Sequence, residues 1–327
     1  DLFLKVDSTL SLDSLSGQLT YDLHHFDANG LHVIIPSYGI NINDASFDTR
    51  LSGKISELSE LAVDVNSFRV RTDDCVFYGS VNIQNLNTPE YEVNSNMRLD
   101  LSEIANILPD TLVNYLSGKM KVHFVSRGKL NPDSIKDQLN DLIFKSSEFF
   151  VNLDNVTVDM PDTLMSIASL SGEMMMKPDT ITINKTYGVY NGIGFSIDST
   201  EIINLYNSVI QNQASRLYVE GRFNVGDIDY SMYESFLAAF RDTTNISEEK
   251  KDTNATTDNA DATMTNFNFN IKGRLGIGSM TYKDAVVKNI SGLFSLSDSL
   301  YLIDPFKFDG FDGKHNTSVR YEIRDEE

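Results

Sequence analysis

The sequence predicts a mainly β protein: an elongated, strongly curved antiparallel sheet, built from degenerate repeats and covered by a few short helices. Three observations predict it. Apolar and polar residues alternate with period two through most of the chain, which puts successive side chains on opposite faces of a sheet and marks strands with one apolar face. Clusters of Asn, Asp, Gly and Ser separate the alternating runs, and these residues accept turn dihedrals. Glycines also fall inside the runs, at Gly79, Gly221, Gly273 and Gly276, where bulges or bends let a wide sheet curl.

Taken in chain order, the first clear runs are Phe77, Val81, Ile83, then Tyr91, Val93, Met97, Leu99, Leu101, then Met120, Val122, Phe124. Phe149, Val151, Leu153 and Val156, Val158, Met160 read as two successive strands. Leu217, Val219, Phe223, Val225 follow, then Phe267, Phe269, Ile271, Leu275, Ile277, then Phe306, Phe308, and last Val319, Tyr321, Ile323. Turn-forming clusters stand at 27–30, 72–74 and 309–313. Helical spacing is confined to a few places. Leu101, Ile104 and Leu108 share a stripe that Pro109 resets, and the stripe continues through Leu112 and Leu116 to a stop at Gly118. Shorter helices begin at Pro132 and Pro161 and run to Ile143 and Ala168, residues 201–213 fit helix or strand, and 231–240 read as a helix. Residues 241–265 are polar and nearly free of apolar side chains, so they cannot offset the entropy of ordering and are expected to be disordered. The expected organisation is therefore a repetitive curved β region with short helices over 1–240, the polar loop over 241–265, and strands continuing the same sheet over 266–327.

Composition excludes several functions. With 27 Lys+Arg against 47 Asp+Glu the formal charge is -20, which repels a phosphate backbone and argues against nucleic-acid binding. A single cysteine, Cys75, allows no intramolecular disulfide and no cysteine-based metal cluster. No window approaches the roughly 18–20 apolar residues of a membrane-spanning helix, and residues 1–5 lack the layout of a signal peptide. The chain as given therefore reads as soluble, and because it opens inside a strand-like run it reads as part of a longer protein.

No catalytic constellation emerges. His24 and His25 are adjacent and point to opposite faces of a strand, which leaves only His25 with Asp27 or His32 as a thin zinc set. Asp309-Gly310-Phe311-Asp312-Gly313 has the Asp and Gly content of a calcium loop but neither its ligand spacing nor its closing Glu, so it reads as a turn. Gly273, Gly276 and Gly278 sit within an alternating run, without the strand-to-helix junction that cradles phosphate. Cys75 has no neighbouring His and reads as a buried or idle thiol, and no Gly-x-Ser-x-Gly elbow occurs. Carboxylate pairs such as Asp73 with Asp74 are too common in so acidic a chain to mark acid–base chemistry. The expected protein is not an enzyme and needs no cofactor or metal.

One phrase recurs. Leu51-Ser52-Gly53, Leu170-Ser171-Gly172 and Ile290-Ser291-Gly292 each open a unit that closes on glycine among alternating apolar residues. A repeated multi-strand unit extends one sheet along an axis. The stretches 273–282, 287–302 and 308–313, together with 81–91 followed by Leu99-Asp100-Leu101-Ser102, resemble the AsmA family of Gram-negative envelope proteins, notably its long Bacteroides-type members and their TamB-like relatives. The resemblance covers about half the chain. It implies a periplasmic protein held by an inner-membrane anchor outside this chain, whose greasy sheet face handles phospholipid in outer-membrane biogenesis. On that reading the lipid-groove candidates are Phe77, Val81, Ile83, Val93, Met97, Leu99, Val219, Phe223, Val225, Phe269, Ile271, Leu275 and Ile277. The alternative is a structural or adhesin-like β-scaffold whose apolar faces are packed into a closed core and bind nothing.

Overall fold

In the computed structural model of the protein the described residues are 18–27, 33–35, 40–54, 57–106, 108, 113–131, 135–160, 166–211, 215–230 and 268–322. The strands are β1 (Gln18–Asp27), β2 (Val33–Ile35), β3 (Ile40–Ile42), β4 (Asp44–Lys54), β5 (Ala62–Arg71), β6 (Val76–Gln84), β7 (Glu90–Asp100), β8 (Tyr115–Lys129), β9 (Ser147–Asp159), β10 (Ser166–Lys177), β11 (Thr180–Ile183), β12 (Thr186–Tyr190), β13 (Ile193–Ile203), β14 (Leu217–Asp229), β15 (Phe269–Tyr282), β16 (Ala285–Ser297), β17 (Leu300–Gly310) and β18 (Gly313–Glu322). Two helices, α1 (Leu101–Ala105) and α2 (Ile135–Lys145), precede β8 and β9. The chain is therefore mainly β. Hydrogen bonding runs β1-β4-β5-β6-β7-β8-β9-β10-β11-β13-β14-β15-β16-β17-β18, and β2 with β3 forms a separate hairpin. β11 and β12 lie in one slot between β10 and β13, as a single interrupted strand.

The chain divides into two compact units. The first comprises residues 1–107 and 121–150, and the second residues 108–120 and 151–327. In the first, β1, β4, β5, β6 and β7 form an antiparallel meander. In the second, β10 to β18 do the same with one exception. β14 and β15 are parallel and in register from Leu217↔Phe269 to Asp229↔Thr281. This departs from the wholly antiparallel expectation. A parallel neighbour requires a crossover of a dozen residues or more, whereas antiparallel neighbours join through short turns. The long connection between Asp229 and Phe269, which contains the polar segment, supplies it. Asp298 pins the start of the pair: its carboxylate accepts from Arg216 Nη2 at 3.0 Å and from the Phe269 backbone N–H at 2.6 Å.

Single extra residues keep the apolar side chains on one face. Asn155, Ser169, Ser199 and Asn289 all have φ near +50° (51°, 52°, 49° and 52°), and the last three sit at register shifts in β10, β13 and β16. A bulge of this kind inverts the odd–even phase of the residues beyond it. The runs 149/151/153 and 156/158, expected as two strands, are accordingly one strand, β9, whose phase flips at Asn155. β17 flips in the same way between Ile303 and Phe306, where Asp304 and Pro305 occupy a bulge that tolerates the missing amide of proline.

The helix expected across 109–118 is not formed where the structure describes it. Tyr115, Leu116, Ser117 and Gly118 open β8 instead. Leu116-Ser117-Gly118 repeats the Leu-Ser-Gly phrase in a strand, and Gly118, read as a helix stop, has φ +102°. A Cβ there would lie 2.5 Å from the Asn155 carbonyl oxygen and 2.6 Å from Val156 Cα. Glycine is required by the close approach as well as by the dihedral. Likewise Ser166, Ile167 and Ala168, expected to end a helix, begin β10. Residues 201–203 are strand, and a π-helical turn occupies Tyr206–Ile210. The helix expected from Pro132 corresponds to α2 at Ile135–Lys145. The expected helix over 231–240, the polar segment 241–265 and the turn at 28–30 lie outside the described residues.

Candidate functional site

The register brings the sequence candidates together into two groups, one in each unit. In the first unit Phe77 faces Met97 and Val81 faces Val93 across β6 and β7. Ile83 faces Tyr91, and Leu99 continues the Met97 row along β7. β5 extends the same face with Val63, Val65 and Val70 opposite Ile83, Val81 and Phe77. In the second unit Val219 faces Ile271, Phe223 faces Leu275 and Val225 faces Ile277 across the parallel pair, with Phe269 at its start opposite Leu217.

Several members of these faces escaped the sequence reading. β13 adds Phe195, Ile197 and Ile202 opposite Val225, Phe223 and Val219. β16 adds Ile290 and Leu296 opposite Ile277 and Ile271, and Phe294 opposite Gly273. The Phe294 ring packs over Gly273 and 5.8 Å from Phe223, while Thr200 covers Gly221. Their signal was present as alternation that changed phase at one polar residue, such as Ser199 or Asn289, which period-two counting discards.

All thirteen candidate side chains are half-buried. The fully buried apolar residues among those described are Leu61, Cys75, Leu101, Val122, Val156, Tyr206, Leu217 and Ile290. A sheet packed against a second layer buries the inward residue of nearly every pair. Here most of the apolar face retains part of its contact with solvent.

α2 rests over one end of the face of the first unit. Between helix and sheet lies a cavity of about 240 Å³ lined by Tyr91, Val93, Phe124, Leu130, Leu142 and Ile143, with Ser126 and Ser147. Its polar groups are mutually satisfied. Tyr91 Oη and Ser126 Oγ are 2.9 Å apart, and Ser147 Oγ bonds both Ser126 Oγ (2.8 Å) and the Leu142 carbonyl (2.7 Å). The cavity is smaller than the roughly 300–1,000 Å³ of sites that enclose drug-sized ligands. Its size suits the end of one acyl chain rather than a whole lipid.

Cys75 belongs to a separate polar junction. Glu103 of α1 accepts from Thr72 Oγ1 at 2.8 Å and from the Asp74 backbone N–H at 3.0 Å, tying the β5–β6 turn to the helix. The Asp100 carboxylate caps α1 through Ser102 N–H at 3.0 Å. Burial, reinforced by hydrogen bonding and charge from Glu103, pushes the Cys75 thiol up from 9.0 to about 11, against weaker opposing contacts with Asp100 and Thr72. At pH 8 its thiolate population, and so its rate with a soluble disulfide reagent, is expected to be on the order of 100-fold below that of the unfolded chain. Stopped-flow thiol titration with and without denaturant measures this. The raised value also has a sign in stability: the contribution of the protonated thiol is complete below pH 9.0 and is lost as pH rises through about 11, because the unfolded thiol ionises first.

Among the described residues no group of three His, Cys, Asp or Glu side chains could hold a metal ion. The side chains of His25, Asp27 and His32 lie outside the described set. The 309–313 segment is the β17–β18 hairpin turn, with Phe311 and Asp312 at φ +50° and +61°. No helix among the described residues is long and apolar enough to cross a membrane. Compared with family models, curated proteins and solved structures, the chain matches none of them.

Proposed function

We propose that this chain is a non-enzymatic segment of an AsmA-like envelope protein that holds phospholipid acyl chains on its apolar sheet faces, working in the periplasm in outer-membrane biogenesis. The observation that carries the proposal is the alignment of the thirteen apolar candidates along neighbouring strands, one group in each unit, with every one of them half-buried. An acyl chain asks for little else: an apolar track with no unsatisfied polar atom and a rim that leaves the headgroup in water. The small open-sided recess under α2 adds an apolar end to the track in the first unit. The scaffold alternative has less support, because it expects these rows to form a buried core. The location and the membrane anchor rest on the family resemblance alone.

Titration with an environment-sensitive fluorescent fatty acid tests the reading. Saturable enhancement at micromolar concentration, reversed by unlabelled phospholipid, is expected. A response no greater than that of an acidic control protein would remove the proposal.

A further inference from the structure

β14 and β15 carry their apolar candidates on one face, so the alternate residues Glu220, Arg222, Lys272 and Arg274 stand on the other, where all four are exposed. The parallel register sets Arg222 directly beside Arg274, and Glu220 beside Lys272. An open-sided recess of about 400 Å³ is lined by these four residues, with Ser199 of β13 and Leu293 of β16 on its flanks.

Like charges side by side on strands about 4.8 Å apart destabilise a sheet unless something neutralises them. The described residues do not do so. The carboxylate beside Arg222 in the register is Asp198, and it accepts from Ser199 Oγ at 3.2 Å instead. The β16 residue beside Arg274 is Leu293, 47% exposed and uncharged. Among the described residues neither guanidinium has an ion pair or a side-chain hydrogen bond, whereas Arg71, Arg216 and Arg320 each meet a carboxylate. This happens on a chain with 47 Asp+Glu against 27 Lys+Arg, in which carboxylates are the commoner charged groups.

We infer that Arg222 and Arg274 form a clamp for the phosphate group of a phosphate monoester. Each guanidinium presents parallel N–H donors that match two oxygens of an oxyanion. A monoester carries three acceptor oxygens and roughly 1.5 to 2 negative charges at neutral pH, so one group engages both forks and neutralises both cations. A carboxylate, with two oxygens and one charge, satisfies only one of them. The recess is wider than a phosphate group, and the exposed Leu293 offers apolar contact to the organic part of the ester. The ester is either a soluble compound or a lipid headgroup of the phosphatidate kind. The clamp lies on the face opposite the acyl track and does not depend on it.

Calorimetric titration of the intact chain with inorganic phosphate is the test, at about 0.15 M ionic strength so that charges beyond about 8 Å are screened. Saturable binding at one site, with a Kd of about 1 mM or tighter, is expected. Arg222→Gln and Arg274→Gln are each expected to weaken it about tenfold or more, and Arg274→Lys to weaken it as well, because an ammonium cannot fork. Lys185→Gln removes the same charge away from the recess and should bind like the wild type. Without phosphate the urea midpoint of Arg274→Gln should equal or exceed that of the wild type, since a like-charge contact is relieved, and phosphate should raise only the wild-type midpoint. Co-sedimentation with phosphatidylcholine vesicles, with and without phosphatidate, separates the two sources: phosphatidate-dependent binding lost in Arg274→Gln assigns a headgroup, and phosphate binding without vesicle binding assigns a soluble ester. A wild type that takes up no phosphate saturably, an Arg274→Gln variant that binds like the wild type, or an equal loss in Lys185→Gln would each overturn the clamp.

Discussion

Gly118→Ala is expected to destabilise the second unit by about 2–4 kcal/mol. Two costs combine. The φ of +102° lies in the region that side chains with a Cβ avoid, and the new methyl would sit 2.5 Å from the Asn155 carbonyl oxygen. Neither neighbour can give way easily, since both atoms in the path are backbone and Val156 is buried. Gly194→Ala is the matched control, because a Cβ there meets nothing within 4 Å. It is expected to change stability by no more than about 0.5 kcal/mol. Urea denaturation decides between them: the midpoint should fall for Gly118→Ala with an unchanged slope, and stay in place for Gly194→Ala.

Much of the fold is legible in the sequence because a one-faced sheet writes its burial pattern with period two. Val81, Ile83, Val93 and Met97 could be assigned to one surface from spacing alone, and their pairing follows from the short turn between β6 and β7. Legibility failed where the physics acts on single residues. Asn155 moves one position into the left-handed region and joins what reads as two strands into one. Leu112, Leu116 and Gly118 mimic a helical stripe, yet Gly118 is held in a strand by a neighbouring backbone that the local sequence does not record. The parallel β14–β15 pair is a third case. Its alternation is identical to that of an antiparallel pair, so the long intervening connection is the sole local hint. The apolar candidates were found for the same reason as the strands. Phe294 was passed over as a site residue because its strand changes phase at Asn289.

The second large effect is expected at the apolar face. Phe223→Asp with Leu275→Asp places two carboxylates directly opposite each other on β14 and β15. Both side chains are mostly covered and like charges directly opposite destabilise, so the pair is expected to cost about 2–5 kcal/mol in stability, and circular dichroism verifies that the variant stays folded. A bound acyl chain would then have to desolvate a carboxylate pair, at a cost of about 2 kcal/mol or more, which lowers affinity on the order of 30-fold or more. Lys272→Ala on the opposite face of the same strand is the control and should leave affinity unchanged. Equal losses from both substitutions would place the effect in folding rather than in the face.

The most direct measurement is native mass spectrometry, with solvent extraction, of the chain purified without detergent from a Gram-negative host. The account predicts adducts of phospholipid mass on the wild type, extractable and identifiable as diacyl lipids, and their loss in the Phe223→Asp, Leu275→Asp variant. A wild type that carries no lipid, and takes up none when incubated with phospholipid vesicles, would contradict it and leave the apolar faces as scaffold.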